Sequence, residues 1–306
     1  MRAGVWGVLA GLVLAGCAVA PARFVPQARQ APADTSTARV PHPYSPQIRA
    51  HFTQLENDRV ASRLMRTEAA PADAPFSATR LATDYLAIAL REEHASPGGA
   101  PSVLRRWTAP VVYDVRFGES VPAAQRQGDL ANIGAVVGRM AGATGHPMRV
   151  LPVGQPGGNF HVLILSEGER QNAAPLLRQL VPGIGNAAID LITGLGTETL
   201  CLAMAFSRGG GATYTEAVAV IRAEHPDLTR LSCIHEELAQ GLGLASDSPS
   251  ARPSVFNDDQ EFATLTQHDL LLLRLHYDPR LRPGMTEAEA RPIVFSIAST
   301  LVPGET

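Results

Sequence analysis

Five short apolar, β-branched runs constrain this chain more than any other feature: residues 111–117, 148–153, 160–165, 201–206 and 214–221. Each has strand length and is bounded by Gly, Pro, Asn or polar residues. Between and after them the pattern switches to helical spacing. Residues 122–144 carry Leu130, Ile133, Val137 and Met140 on one face, and 228–242 forms a second amphipathic run closed by Gly243. Residues 265–276 read as a further helix, 286–297 as another interrupted at Pro292, and 167–181 as one preceding a Gly-rich insertion, 182–196. The order predicts an α+β domain over residues 107–300. Its twisted, mixed sheet has a helix packed behind it and the 228–242 helix under a cleft. Two helices, 45–66 and 77–93, lie in an N-terminal helical region spanning 46–106.

The first 45 residues have no such pattern. Arg2 precedes an apolar stretch over 5–14, too short to span a bilayer comfortably, and then Leu14-Ala15-Gly16-Cys17. That tetrapeptide resembles the lipobox of bacterial lipoproteins, which implies that 1–17 is a signal peptide and that Cys17 carries lipid. Ala18 follows, not Asp; by the same resemblance the protein is expected on the outer membrane, facing the periplasm. Residues 18–45, with Pro21, Pro26, Pro32, Pro41 and Pro43, read as a disordered linker. A net charge of −3 with interspersed signs argues against nucleic acid as a partner. The remaining cysteines, Cys201 and Cys233, form an even pair in an exported chain and are expected to be a disulfide, two buried free thiols being the alternative.

The chemistry concentrates in Cys233-Ile234-His235-Glu236-Glu237-Leu238-Ala239-Gln240-Gly241-Leu242-Gly243-Leu244-Ala245-Ser246-Asp247. His235-Glu236 invites a zinc-helix reading, but Ala239 stands four residues on and has no ligand atom. Gln240 is five on, about 140° around the helix, so His235 and Gln240 do not share a face. Glu236 and Gln240, four apart, do. In that frame the segment resembles the metzincin signature with both helix histidines replaced. The resemblance implies Glu237 at the general-base position and Glu236 and Gln240 at the first two metal positions. Ser246 takes the third, with the candidate ligand Asp247 beside it, and Gly243 turns the chain out of the helix.

Pro253-Ser254-Val255-Phe256-Asn257 resembles the turn beneath a metzincin's metal, with Phe256 in place of methionine. Leu265-Thr266-Gln267-His268-Asp269 and Leu275-His276-Tyr277 resemble the C-terminal helix of matrixin-like proteases. The strand order from Trp107 is similar too, with 214–221 in the place of the edge strand before the active-site helix. The stretch from Cys201 to Met285 also resembles an uncharacterised bacterial family, domain of unknown function 2927, which implies no activity.

Glu236, Gln240 and Asp247 make an all-oxygen set, suited to calcium or to no metal rather than to zinc. The expectation is therefore a cell-envelope lipoprotein with a catalytically silent zincin-like domain and no cofactor. It would bind an extended peptide or envelope protein by strand addition beside 214–221. The alternatives are an active metal-dependent peptidase with Glu237 as base, and a purely structural lipoprotein. On the plainer reading Glu236 and Glu237 are a solvated helix face, His235 a packed histidine and Asp269 a first-turn acid.

Overall fold

The computed structural model describes residues 45–92 and 100–303. The leader, Cys17 and all but the last residue of the linker lie outside the described residues. In chain order the elements are α1 (Pro46–Ala61), α2 (Ala78–Ala89), β1 (Arg91–Glu92), β2 (Ala100–Pro101), β3 (Val111–Phe117), α3 (Ala123–Thr144), β4 (Met148–Val150) and β5 (Phe160–Leu165). Then come α4 (Glu167–Gln171), α5 (Ala174–Leu180), α6 (Asn186–Gly194), β6 (Cys201–Ser207), β7 (Tyr214–Arg222), α7 (Asp227–Gln240), α8 (Gln267–His276) and α9 (Glu287–Leu301).

β1 and β2 form a small antiparallel pair, and the other strands build a five-stranded sheet in the order β4-β3-β5-β7-β6. β4, β3, β5 and β7 are parallel, whereas β6 pairs antiparallel with β7. Because side chains alternate along a strand, the sheet has two faces. Val111, Tyr113, Val115, Phe160, Val162, Ile164, Ala217, Ala219 and Ile221 enter the main core with residues of α2, α3, α7, α8 and α9. Leu163, Leu165, Leu202, Val218 and Val220 point the other way, onto Leu177 and Leu180 of α5 and Ile189 and Ile192 of α6.

The structure places the 182–196 insertion: its helix α6 covers that second face. Two buried arginines hold its end. Arg170 donates from Nη1 to the Ile192 carbonyl at 2.5 Å and from Nη2 to that of Leu195 at 3.0 Å. Arg222 Nη2 donates to the carbonyls of Leu195, at 3.1 Å, and Gly196, at 2.6 Å. Helix ends leave carbonyls without internal partners, and these guanidinium groups satisfy them in the interior. Glu167 pairs with both arginines.

Three expectations need correction. The 214–221 run is not the edge strand: β7 lies between β5 and β6, and β6 is outermost. Its near-continuous apolar sequence, Ala217 to Ile221, suits a strand buried on both faces, as its burial shows. The 167–181 helix is broken after Gln171, because Pro175 starts a new helix and cannot continue the old one. α9, by contrast, runs on through Pro292. Burial of Ala290, Val294, Ile297 and Ala298 outweighs the cost of about 3 kcal/mol for an interior proline.

The N-terminal helices pack on the same body. α2 buries Leu81, Tyr85, Ile88 and Ala89 and lies against α8 and α9. α1 buries only Phe52, whose ring meets His225 edge-on, and its Glu56 accepts from the Thr229 amide at 2.7 Å and hydroxyl at 2.8 Å.

Candidate functional site

α7 is fixed at both ends. Glu56 satisfies an amide of its first turn, where negative charge also suits the helix dipole. Along its length Cys233, Ile234, Leu238 and Ala239 are buried against the sheet and α3. Past its end, Trp107 Nε1 donates to the Gly241 carbonyl at 2.9 Å and the Tyr277 hydroxyl to that of Leu242 at 3.0 Å. Gly243 then turns with φ +124°, and a Cβ there would stand 2.2 Å from His276 Nε2 and 2.5 Å from the Arg105 carbonyl oxygen. Only glycine fits that turn.

The disulfide joins Cys201 of β6 to Cys233 of α7, tying the edge strand to this helix. Carboxylate oxygens of Glu236 and Glu237 and the sulfur of Cys201 lie within 4.8 Å of one another, with Glu237 buried. Further along the helix, Gln240 Nε2 donates to Asp247 Oδ1 at 3.4 Å. Ser246 is buried beside it, with its hydroxyl toward the Asp247 carbonyl at 3.4 Å. The structure thus brings the candidate residues together in two pairs, Glu236 with Glu237 and Gln240 with Asp247, about one helical turn apart. Arg59 of α1 joins them: burial lowers its pKa, and the nearby charge of Glu236 partly restores it. Sequence reasoning had no signal for Arg59, which is remote in the chain and sits in a helix of mixed polarity.

Zinc does not fit this donor set. The Cys201 sulfur is spent in a disulfide and offers no thiolate. Gln240 contributes a neutral amide already engaged with Asp247. The nearby imidazoles are committed elsewhere. His235 is buried, and its Nδ1 accepts from the Leu265 amide at 3.0 Å; burial pushes its pKa down to about 4. His276 lies between the Tyr85 hydroxyl, 3.0 Å away, and the Arg105 carbonyl, 3.1 Å away, and burial takes it down to about 3. His268 stands 3.2 Å from Asp84 and 3.9 Å from Asp269. Burial alone would lower its pKa, but the two carboxylates outweigh that and raise it.

Asp269 is more than a first-turn acid. It closes a capping box with Thr266 and accepts from the Ser254 hydroxyl at 2.5 Å and the Val255 amide at 3.2 Å. The turn holding Phe256, itself fully buried, is therefore pinned to α8.

The remaining component is the sheet edge. Among the described residues β6 pairs with β7 alone. Its sequence, Cys201-Leu202-Ala203-Met204-Ala205-Phe206-Ser207, has neither charge nor proline, and every residue except Leu202 is partly exposed. Protective charges or prolines are usual on such edges. The signal was readable in the letters, but only the pairing order reveals which strand is outermost.

A family model described as a protein of unknown function (DUF2927) matches residues 78–296. No curated protein matches the chain.

Proposed function

We propose, for a chain that belongs to the DUF2927 family, that its domain is a zincin-like module of the cell envelope. In this reading it binds extended peptide segments by strand addition and carries out no zinc chemistry. The observation that carries the reading is the β6 edge. A seven-residue strand without charge or proline borders the helix that bears Glu236, Glu237 and Gln240. Added main-chain hydrogen bonds stabilise such a complex by roughly 0.5–1.5 kcal/mol each, and side-chain contacts select the sequence. The zincin-like assignment rests on a mostly parallel sheet whose one antiparallel strand lies at the edge and is followed by β7 and α7.

The donor set supports the non-hydrolytic half. Without a metal to lower the pKa of water, Glu237 would face a nucleophile of ordinary weakness. The envelope assignment rests on the lipobox at Cys17, and the Cys201–Cys233 disulfide is consistent with an oxidising compartment. No helix among the described residues is long and apolar enough to cross a membrane.

Hydrogen exchange of the full chain, with and without a casein digest as a source of extended peptides, tests the reading. Amides of residues 202–206 are expected to gain protection. Unchanged exchange there removes strand addition, and one equivalent of zinc in protein purified without chelator replaces this reading with a peptidase.

A further inference from the structure

We infer that uptake of a segment at β6 is coupled to uptake of a proton by the His161–Glu216 pair, an inference that rests on the strand-addition reading. On the face of the sheet covered by α5 and α6, a row of charged groups crosses three strands. Arg116 Nε of β3 donates to Asp114 Oδ2 at 2.8 Å, and the same oxygen stands 3.3 Å from Nδ1 of His161, the register partner of Asp114 on β5. His161 Nε2 then faces Glu216 Oε2 of β7 at 3.6 Å. Asp114 and His161 are buried, whereas the Glu216 side chain keeps 20% of its surface exposed. The last step of the row is the weak one. Asp114 can only accept, so Nδ1 carries the proton of the neutral ring and Nε2 is left a bare acceptor facing a second acceptor. Both atoms are shut off from water, and neither has a hydrogen-bond partner among the described residues. A proton added at Nε2 turns two opposed acceptors into a charge-assisted hydrogen bond, and their separation is expected to contract to about 2.7–2.9 Å.

The surroundings of the pair set the direction of the coupling. Burial holds the His161 ring below the usual imidazole range and the Glu216 carboxyl above the usual carboxylate range, so the pair exchanges a proton between those two values. Asp114 and the Leu180 main chain favour the charged ring, Arg116 opposes it, and Arg208, in the turn after β6, favours the charged Glu216 carboxylate. The pair lies one strand in from the sheet edge. Phe206 of β6 stands directly opposite Glu216 and is partly exposed at the rim of the second core. Directly opposed residues of neighbouring strands project to the same face, about 5 Å apart. A strand added outside β6 sets a side chain beside Phe206 and closes the flank from which water reaches Glu216. Loss of that water disfavours the carboxylate charge and strengthens its bond to a protonated ring. The complex then keeps its proton to higher pH than the free domain does. By linkage, the added strand binds more tightly as pH falls through the value of the complex, and the gain levels off below that of the free domain.

A rhodamine-labelled nonapeptide that alternates valine and serine and has blocked termini carries no titrating group of its own. Titrated into the full chain and read by anisotropy, it is expected to bind about threefold or more tightly at pH 6.0 than at pH 7.5. Calorimetry in two buffers of different ionisation heat is expected to show net proton uptake on binding, a readout that needs no variant. Glu216→Gln offers Nε2 an amide donor in place of the added proton; its binding is expected to be flat across this range and as tight at pH 7.5 as the wild type is at pH 6.0. His161→Gln is expected to flatten the profile as well. The Ala217 amide donates to the Asn159 carbonyl, away from β6, so Ala205, the partner of Ala217, holds its own amide outward. Ala205→Pro removes that amide and is expected to weaken binding at both pH values. Wild-type binding that is flat or tighter at pH 7.5, absence of proton uptake, or a pH dependence that survives both glutamine substitutions overturns the inference while leaving strand addition in place. Binding indifferent to Ala205→Pro, or no binding at either pH, overturns both.

Discussion

Gly243 is the residue on which the exit from α7 turns. Its φ of +124° and the 2.2 Å and 2.5 Å approaches to His276 and the Arg105 carbonyl leave no room for a side chain. Gly243→Ala is expected to lower stability by about 2–4 kcal/mol through backbone strain and displacement of the His276 ring. Thermal unfolding followed by circular dichroism measures this; an unchanged midpoint would show that the turn relaxes freely. Glycine at this position was legible in the sequence as a helix stop, and so was the shared face of Glu236 and Gln240. His235 carries the opposite lesson. Its place in an apparent metal motif said nothing of the Leu265 amide, thirty residues on, to which its imidazole is committed.

Among elements, the pairing of β6 with β7 and the bridge to α7 decide where a ligand can approach. Cys201 and Cys233 are separated by 32 residues, and closing such a loop in the unfolded chain stabilises the fold by about 3–4 kcal/mol. Replacing both with alanine is expected to shift the urea midpoint down accordingly. A negligible shift would mean that packing alone holds the edge strand to α7. Element identities were largely readable, since 111–117 and 160–165 match β3 and β5. Sheet order was not. Strands β6 and β7 are both apolar, and their letters do not say which one has a neighbour on each side. α6 was illegible for another reason: buried Arg170 and Arg222 anchor its end from elsewhere in the chain.

At the scale of the whole molecule, buried histidines tie stability to pH. Burial pushes His225 to about 3, His235 to about 4 and His276 to about 3. Unfolded histidine titrates near 6.5, so between roughly pH 6.5 and 4 the unfolded chain binds more protons than the folded one. Stability from these groups is complete above that window and is lost as pH falls through it. His268, with a raised pKa, works in the opposite sense: its contribution is present below about 6.5 and fades as pH rises through its folded value. The net expectation is a urea midpoint that falls steeply between pH 6.5 and 4.5; a flat profile would indicate that these imidazoles reach solvent. For the tether, Cys17→Ser is expected to move the protein from the membrane to the soluble fraction, and unaltered membrane association would remove the lipid anchor.

Local pattern alone carried the five strands of the main sheet, most of the longer helices, the helix-exit glycine, the expectation of a bridge between the two distal cysteines and the family resemblance. These depend on periodicity, turn chemistry and composition, which neighbouring residues encode. Only the tertiary structure decided that β6 rather than β7 lies at a sheet edge, that the His235 imidazole is committed to the Leu265 amide, and that Arg59 stands near Glu236. Those facts arise from contacts between segments far apart in the chain, and no local spacing records them.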